Sequence, residues 1–155
     1  TEIYTLSLHD ALPIWLGWVQ GMRSPITYLE GALDEILSDL LANISESNKV
    51  LLVDNQGFYL SSIGFPHEVA EELAALSAKL TIVHEHSTGL LINNLGVSSS
   101  SWAIVDAKGN SKIGFWPMYI GDAQFVLVVS GAPRFNQPEF VSLVWALSIR
   151  YAGTK

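Results

Sequence analysis

The 155 residues contain no cysteine, which excludes a disulfide framework, a thiolate metal site and a cysteine nucleophile. Basic residues are scarce. The 8 Lys and Arg stand against 15 Asp and Glu, for a formal charge of −7. A partner held through nucleic-acid phosphates needs clustered cations, so nucleic acid is not an expected partner. No apolar run approaches the roughly 18 residues of a membrane-spanning helix, and no membrane insertion is expected. The first twenty residues carry Glu2 and Asp10 but no Lys or Arg, unlike a signal peptide. These features fit a cytoplasmic protein. Catalytic signatures are missing as well: there is no P-loop, no G-x-G-x-x-G, no H-E-x-x-H and no G-x-S-x-G elbow. The chain therefore reads as a non-enzyme, without cofactor or metal.

What is present is apolar. The hydrophobic share of 49% is high for the modest 15% of charged residues, so the chain is expected to fold around a core. Thr1 to Ile14 (TEIYTLSLHDALPI) resembles a translated sequencing adapter and is set aside, together with His9 and Asp10. Met22 is a plausible natural start, which makes residues 1–21 a non-native leader and residues 22–155 one domain. The alternative is a longer protein cut short upstream.

In order, Ser24-Pro25 reads as a helix start. Ile26, Leu29, Leu33, Ile36, Leu37, Leu40 and Ile44 mark about five turns, with Asp34, Glu35 and Asp39 on the wet side. Asn43-Ile44-Ser45 matches a glycosylation triplet, but nothing in the sequence indicates a secretory route. Two hairpins share a Val-Asp-x-x-Gly turn, at Val53–Gly57 and at Val105–Gly109. Val50 to Val53 is apolar without alternation, as in a strand covered on both faces. Trp102 to Val105 is a strand entered from four serines, Ser98 to Ser101. Lys112 to Trp116 is its return, with Pro117 weakening the ladder near its end. Phe125 to Val129 is the most hydrophobic run and reads as a central strand. Asn136 and Glu139 resemble a capping box for a last helix carrying Phe140, Val144, Leu147 and Tyr151.

Between the hairpins, Phe65 to Thr88 reads as one long helix. Pro66 suits its first turn, and Gly89 is placed to end it. Val69, Leu73, Leu76, Leu80 and Val83 form one apolar stripe. Roughly opposite lie Ala74, Ala75, Ala78 and Ile82, flanked by Glu71 and Glu85. Alanine is a good helix former in any context. Small side chains also let another helix approach closely, which makes this face a candidate docking surface. His84 and His86 diverge on a helix and read as surface residues, and His67 reads as chemically idle. Trp102, Trp116 and Trp145 read as core.

The element order α-β-β-α-β-β-β-α, the paired Val-Asp-x-x-Gly turns and the alanine-rich middle helix together resemble the roadblock/LC7 family. The segments that carry the resemblance are Val50–Gly57, Ser61–Gly64 and Glu72–Ala78, within a span from Ile26 to Tyr151. The resemblance implies an α/β fold of the α+β type: a five-stranded antiparallel sheet in the order 2-1-5-4-3 with helices on both faces. It implies a homodimer made by pairing third-strand edges around Ser100, Trp102 and Ile104, with middle helices side by side. It further implies a regulator or scaffold that binds a small Ras-like GTPase. Any activating effect would come from shaping the partner's own site, since Arg134 reads as ordinary surface. The alternative is a PAS-like or GAF-like small-molecule sensor, which requires an internal pocket of roughly 300–1,000 Å³.

Overall fold

The computed structural model describes residues 33–97 and 101–151. The proposed leader, the helix start at Ser24-Pro25 and Ser100 lie outside them. The described elements are α1 (Leu33–Leu41), β1 (Val50–Asp54), β2 (Tyr59–Ile63), α2 (His67–Thr88), β3 (Trp102–Val105), β4 (Ser111–Ile120), β5 (Ala123–Ser130) and α3 (Pro138–Tyr151). The five strands form one antiparallel sheet in the order β2-β1-β5-β4-β3. Element order, strand order and sheet type all match the expectation.

The apolar runs explain the layering. Side chains alternate across a strand, so a run with no polar position needs cover on both faces. Along β1, Val50 and Leu52 enter one core with Leu37 and Leu41 of α1 and Leu143 and Leu147 of α3. Leu51 and Val53 enter a second core with Ala70, Leu73 and Ala74 of α2. Strand β5 divides the same way, with Phe125, Leu127 and Val129 on the first face and Val126 and Val128 on the second. All nine of these strand side chains are buried. Each such burial contributes about 1.5–3 kcal/mol relative to exposure.

Several boundaries differ from expectation. Helix α1 ends at Leu41, so Ile44 lies beyond it, and α2 begins at His67 with Pro66 as the residue before its first turn. Pro117 does not end β4, which continues to Ile120 and pairs Pro117 with Val126 of β5. Strand β3 stops opposite Phe115, so Pro117 lies past its end, where β4 has a neighbour on one side only. That is the edge position a strand proline tolerates. The α-helix stops at Thr88 with Gly89 next, as expected, but Gly89 is not a left-handed cap. It keeps right-handed helical angles (φ −60°, ψ −43°), and the chain continues as a π-helical turn over Gly89–Asn94. The Leu95 N–H closes on the Leu90 carbonyl at 3.1 Å. Gly96, with φ +65°, supplies the left-handed residue beyond it.

The two Val-Asp-x-x-Gly turns are the same structure built twice. Asp54 Oδ1 accepts from the N–H groups of Gln56 and Phe58, both at 2.9 Å. Asp106 Oδ1 accepts from those of Lys108 (2.9 Å) and Asn110 (3.0 Å). In each turn the glycine N–H closes on the aspartate carbonyl, at 3.2 Å for Gly57 and 2.9 Å for Gly109. Each ladder carries a register irregularity just before its turn, at Leu52/Val53 and at Ile104/Val105. The glycines sit at φ +87° and +84°, which an L side chain adopts only under strain.

Their surroundings differ. A Cβ on Gly57 would lie 3.1 Å from the Ala78 methyl of α2, whereas one on Gly109 would meet nothing within 4 Å. Gly109→Ala is therefore expected to cost about 1 kcal/mol from backbone strain alone. Gly57→Ala is expected to cost more, because overpacking adds to the same strain. Urea denaturation of both variants checks this, and equal losses would show that α2 does not press on the first turn.

Candidate functional site

Among the described residues no three His, Asp or Glu side chains gather as a metal site. No helix there is long and apolar enough to cross a membrane. His84 is half-buried and His86 exposed, as a two-residue offset on a helix requires. His67 is exposed at the start of α2. Its Nδ1 shares a hydrogen bond with the Tyr59 hydroxyl at 2.6 Å, and its Nε2 faces Glu71 at 3.4 Å. Arg134 is exposed.

The middle helix is rotated from the orientation its apolar stripe suggested. Its buried residues are Ala70, Leu73, Ala74 and Ser77. Ala74, at 2% exposure, belongs to the second core, and Ala78 stands against Gly57. The small side chains do allow close approach, but what approaches is the sheet and its first turn rather than a second helix. Leu76 and Leu80 flank this contact, and Val69 and Val83 at the ends of the stripe are exposed. Of the candidate docking residues, Glu71, Ala75, Ile82 and Glu85 do face outward.

The other candidates lie on β3, which forms one edge of the sheet. Trp102 is half-buried and packs toward the α2 core. Ile104, on the same face by alternation, is 50% exposed, and Val105 on the opposite face is 55% exposed. This edge is apolar, and beyond Trp102 it is uncovered on both faces. A monomer ordinarily blunts such an edge with charge, proline or cover. More apolar surface follows along the second half of α2 and the π turn: Ile82 at 53%, Val83, Leu90, Ile92, and Leu95 at 62%. Sequence reasoning did not single out the π-turn residues. The apolar run Leu90-Leu91-Ile92 was their only signal, and periodicity alone does not assign so short a run.

Between α2 and the sheet lies a cleft of about 20 Å³, bordered by Ser77, Thr81, His84, Trp102 and Tyr119 among others. This is of the order of one water-sized space and more than tenfold short of the pocket a small-molecule sensor requires.

At the far end of β3, the Asp106 carboxyl is held below its ordinary range. The largest cause is the hydrogen bond from the Asn110 backbone N–H. Weaker bonds from Lys112, the Asn110 side chain and the Lys108 N–H act in the same direction, against a desolvation effect that raises it. Lys112 Nζ lies 3.2 Å from Asp106 Oδ2.

The fold is that of a roadblock/LC7 domain. A roadblock/LC7 domain from Streptomyces avermitilis aligns over 80% of this chain and 100% of its own length, with a TM-score of 0.53 and 16% identity. Myxococcus xanthus MglB aligns over 84% of this chain and 97% of its own, with a TM-score of 0.48 and 18% identity. The gliding protein MglB from Thermus thermophilus aligns over 86% and 100%, with a TM-score of 0.47 and 19% identity. Only the first exceeds 0.5, and the fold assignment rests on it. No protein-family model matches the chain, and no curated protein matches its sequence.

A carboxyl whose folded pKa is depressed stabilises the fold above its unfolded pKa. That contribution is lost as pH falls through the folded value. The Asp106 turn is therefore expected to keep its amide pattern through pH 3.9, about the unperturbed aspartate value, and to lose it only below. Titration of the Asp106 carboxyl and the Asn110 amide by NMR checks this. A midpoint at or above the unperturbed value would contradict it.

Proposed function

We propose that this protein is a non-catalytic, homodimeric regulator or scaffold that binds a small Ras-like GTPase. The observation that supports the dimer most directly is the bare apolar edge of β3. Two such edges paired antiparallel would satisfy the free backbone groups of both and cover Ile104 and Val105. The apolar residues at the C-terminal end of α2 extend the surface available to that contact. The GTPase partner is the expectation of the roadblock/LC7 resemblance, and the outward face of α2 around Ala75 is the surface offered to it. Residues 22–155 form the proposed domain, and the cytoplasm is the proposed site of action.

Light scattering on a sizing column is expected to return twice the chain mass. Ile104→Lys places a charge on the edge and is expected to return a monomer with an unchanged far-UV circular dichroism spectrum. A wild-type monomer at micromolar concentration would overturn the dimer. Ala75→Arg changes an exposed position and is expected to cost less than about 0.5 kcal/mol. It is also expected to abolish binding of a GTP-loaded Ras-like GTPase that the wild-type protein retains. Undiminished binding would remove α2 from the docking surface.

A further inference from the structure

Three side chains form a relay at the surface where β2 meets the start of α2. The Tyr59 hydroxyl lies 2.6 Å from His67 Nδ1, and His67 Nε2 lies 3.4 Å from Glu71 Oε1. The phenol and imidazole rings pack edge to face, with centroids 5.9 Å apart. Local structure sets this spacing. Tyr59 is the first residue of β2 and lies opposite Val53, where the ladder shifts register. His67 opens α2, and Glu71 follows one turn later on the same side of the helix. His67 reads as idle in the sequence because its partner lies eight residues back, on a different element.

The carboxylate assigns the proton roles. An ionised Glu71 can only accept, so the ring nitrogen facing it, Nε2, carries the proton of a neutral His67. That leaves Nδ1 as the acceptor and makes the Tyr59 hydroxyl the donor. A hydroxyl held against a base, with the base oriented by a third group, is the arrangement of an assisted nucleophile. It is open to solution, since the His67 and Glu71 side chains are 68% and 63% exposed. Tyr119 offers the contrast. It is 65% exposed, but its hydroxyl accepts from Gln124 Nε2 at 3.2 Å, a donor rather than a base.

We propose that Tyr59 is a modification site for small activated acyl donors, with His67 as its base and Glu71 as a positioning residue. The Tyr59 oxygen bonds to the acyl carbon as the bond from that carbon to the leaving group breaks. The phenolic proton passes to His67 Nδ1 and then to water, and the leaving group takes up a proton from water. The aryl ester has no proton to donate, so the hydrogen bond joining β2 to α2 is lost on modification. Strand β2 is the sheet edge opposite β3. The site therefore needs neither the dimer nor a GTPase partner.

The test treats the full chain with N-acetylimidazole and follows adducts at Tyr59 and Tyr119 by peptide mass mapping over time. Tyr59 is expected to react faster than Tyr119, although it is half-buried and Tyr119 is exposed. His67→Phe keeps a ring against Tyr59 but removes the base. It is expected to slow Tyr59 by about tenfold, short of the roughly 10²–10⁴-fold of a base in an enzyme site, and to leave Tyr119 unchanged. A wild-type Tyr59 no faster than Tyr119, a rate at Tyr59 untouched by His67→Phe, or an equal fall at both tyrosines would overturn the proposal. Long-range ¹H–¹⁵N NMR is expected to show wild-type His67 protonated on Nε2, with the Nδ1–H form emerging in Glu71→Ala. An Nδ1–H ring in the wild-type protein would overturn the base, and an unchanged ring in Glu71→Ala would overturn the role of Glu71.

Discussion

Strands β1 and β5 have no polar face, and most of the architecture follows from that. They pair with each other at the middle of the sheet, Val50 opposite Val129 through to Asp54 opposite Phe125. Each sends alternate residues into two separate cores. A sheet with such a centre is stable only with helices on both faces. Helices α1 and α3 cover one face and α2 the other. The pairing joins residues some 75 positions apart in sequence, so the flanking elements are placed by a long-range contact rather than by the turns beside them.

The same arrangement leaves one region short of cover. Helix α2 sits over β1, β5 and the first turn, with Ala70, Ala74 and Ser77 inward and Ala78 against Gly57. It does not extend over the second turn, where Gly109 is open to solvent although its backbone repeats that of Gly57. Strand β3 is therefore bare beyond Trp102, while β1 and β5 are enclosed. The apolar character of Ile104 and Val105 and the register irregularity beside them belong to that uncovered side.

Much of this was legible in the sequence, for identifiable reasons. Uninterrupted apolar runs marked β1 and β5 as central, because a strand that needs no polar face has few other places to lie. The repeated Asp-x-x-Gly marked two turns whose hydrogen bonds prove identical, because the aspartate oxygen and the left-handed glycine are both required by that geometry. The rotation of α2 was not legible. Periodicity locates a stripe of large residues, but the helix approaches the sheet through its small ones, and that depends on the closeness of Gly57. The passage of β4 through Pro117 was hidden for a similar reason: whether a proline breaks a ladder depends on where the neighbouring strand ends. The outward candidates Ala75 and Ile82 survive as surface. Ala74 does not, and nothing in the local sequence distinguishes it from Ala75.

In the proposed dimer the β3 edge is paired in solution with a second copy of itself. Backbone amide hydrogen exchange over Trp102–Val105, followed across a dilution series, tests it most directly. Pairing predicts that outward-facing amides of β3 are protected at high concentration and lose protection as the protein is diluted, while those of β1 and β5 stay protected throughout. Outward amides that exchange freely at every concentration, beside protected neighbours bonded to β4, would contradict it.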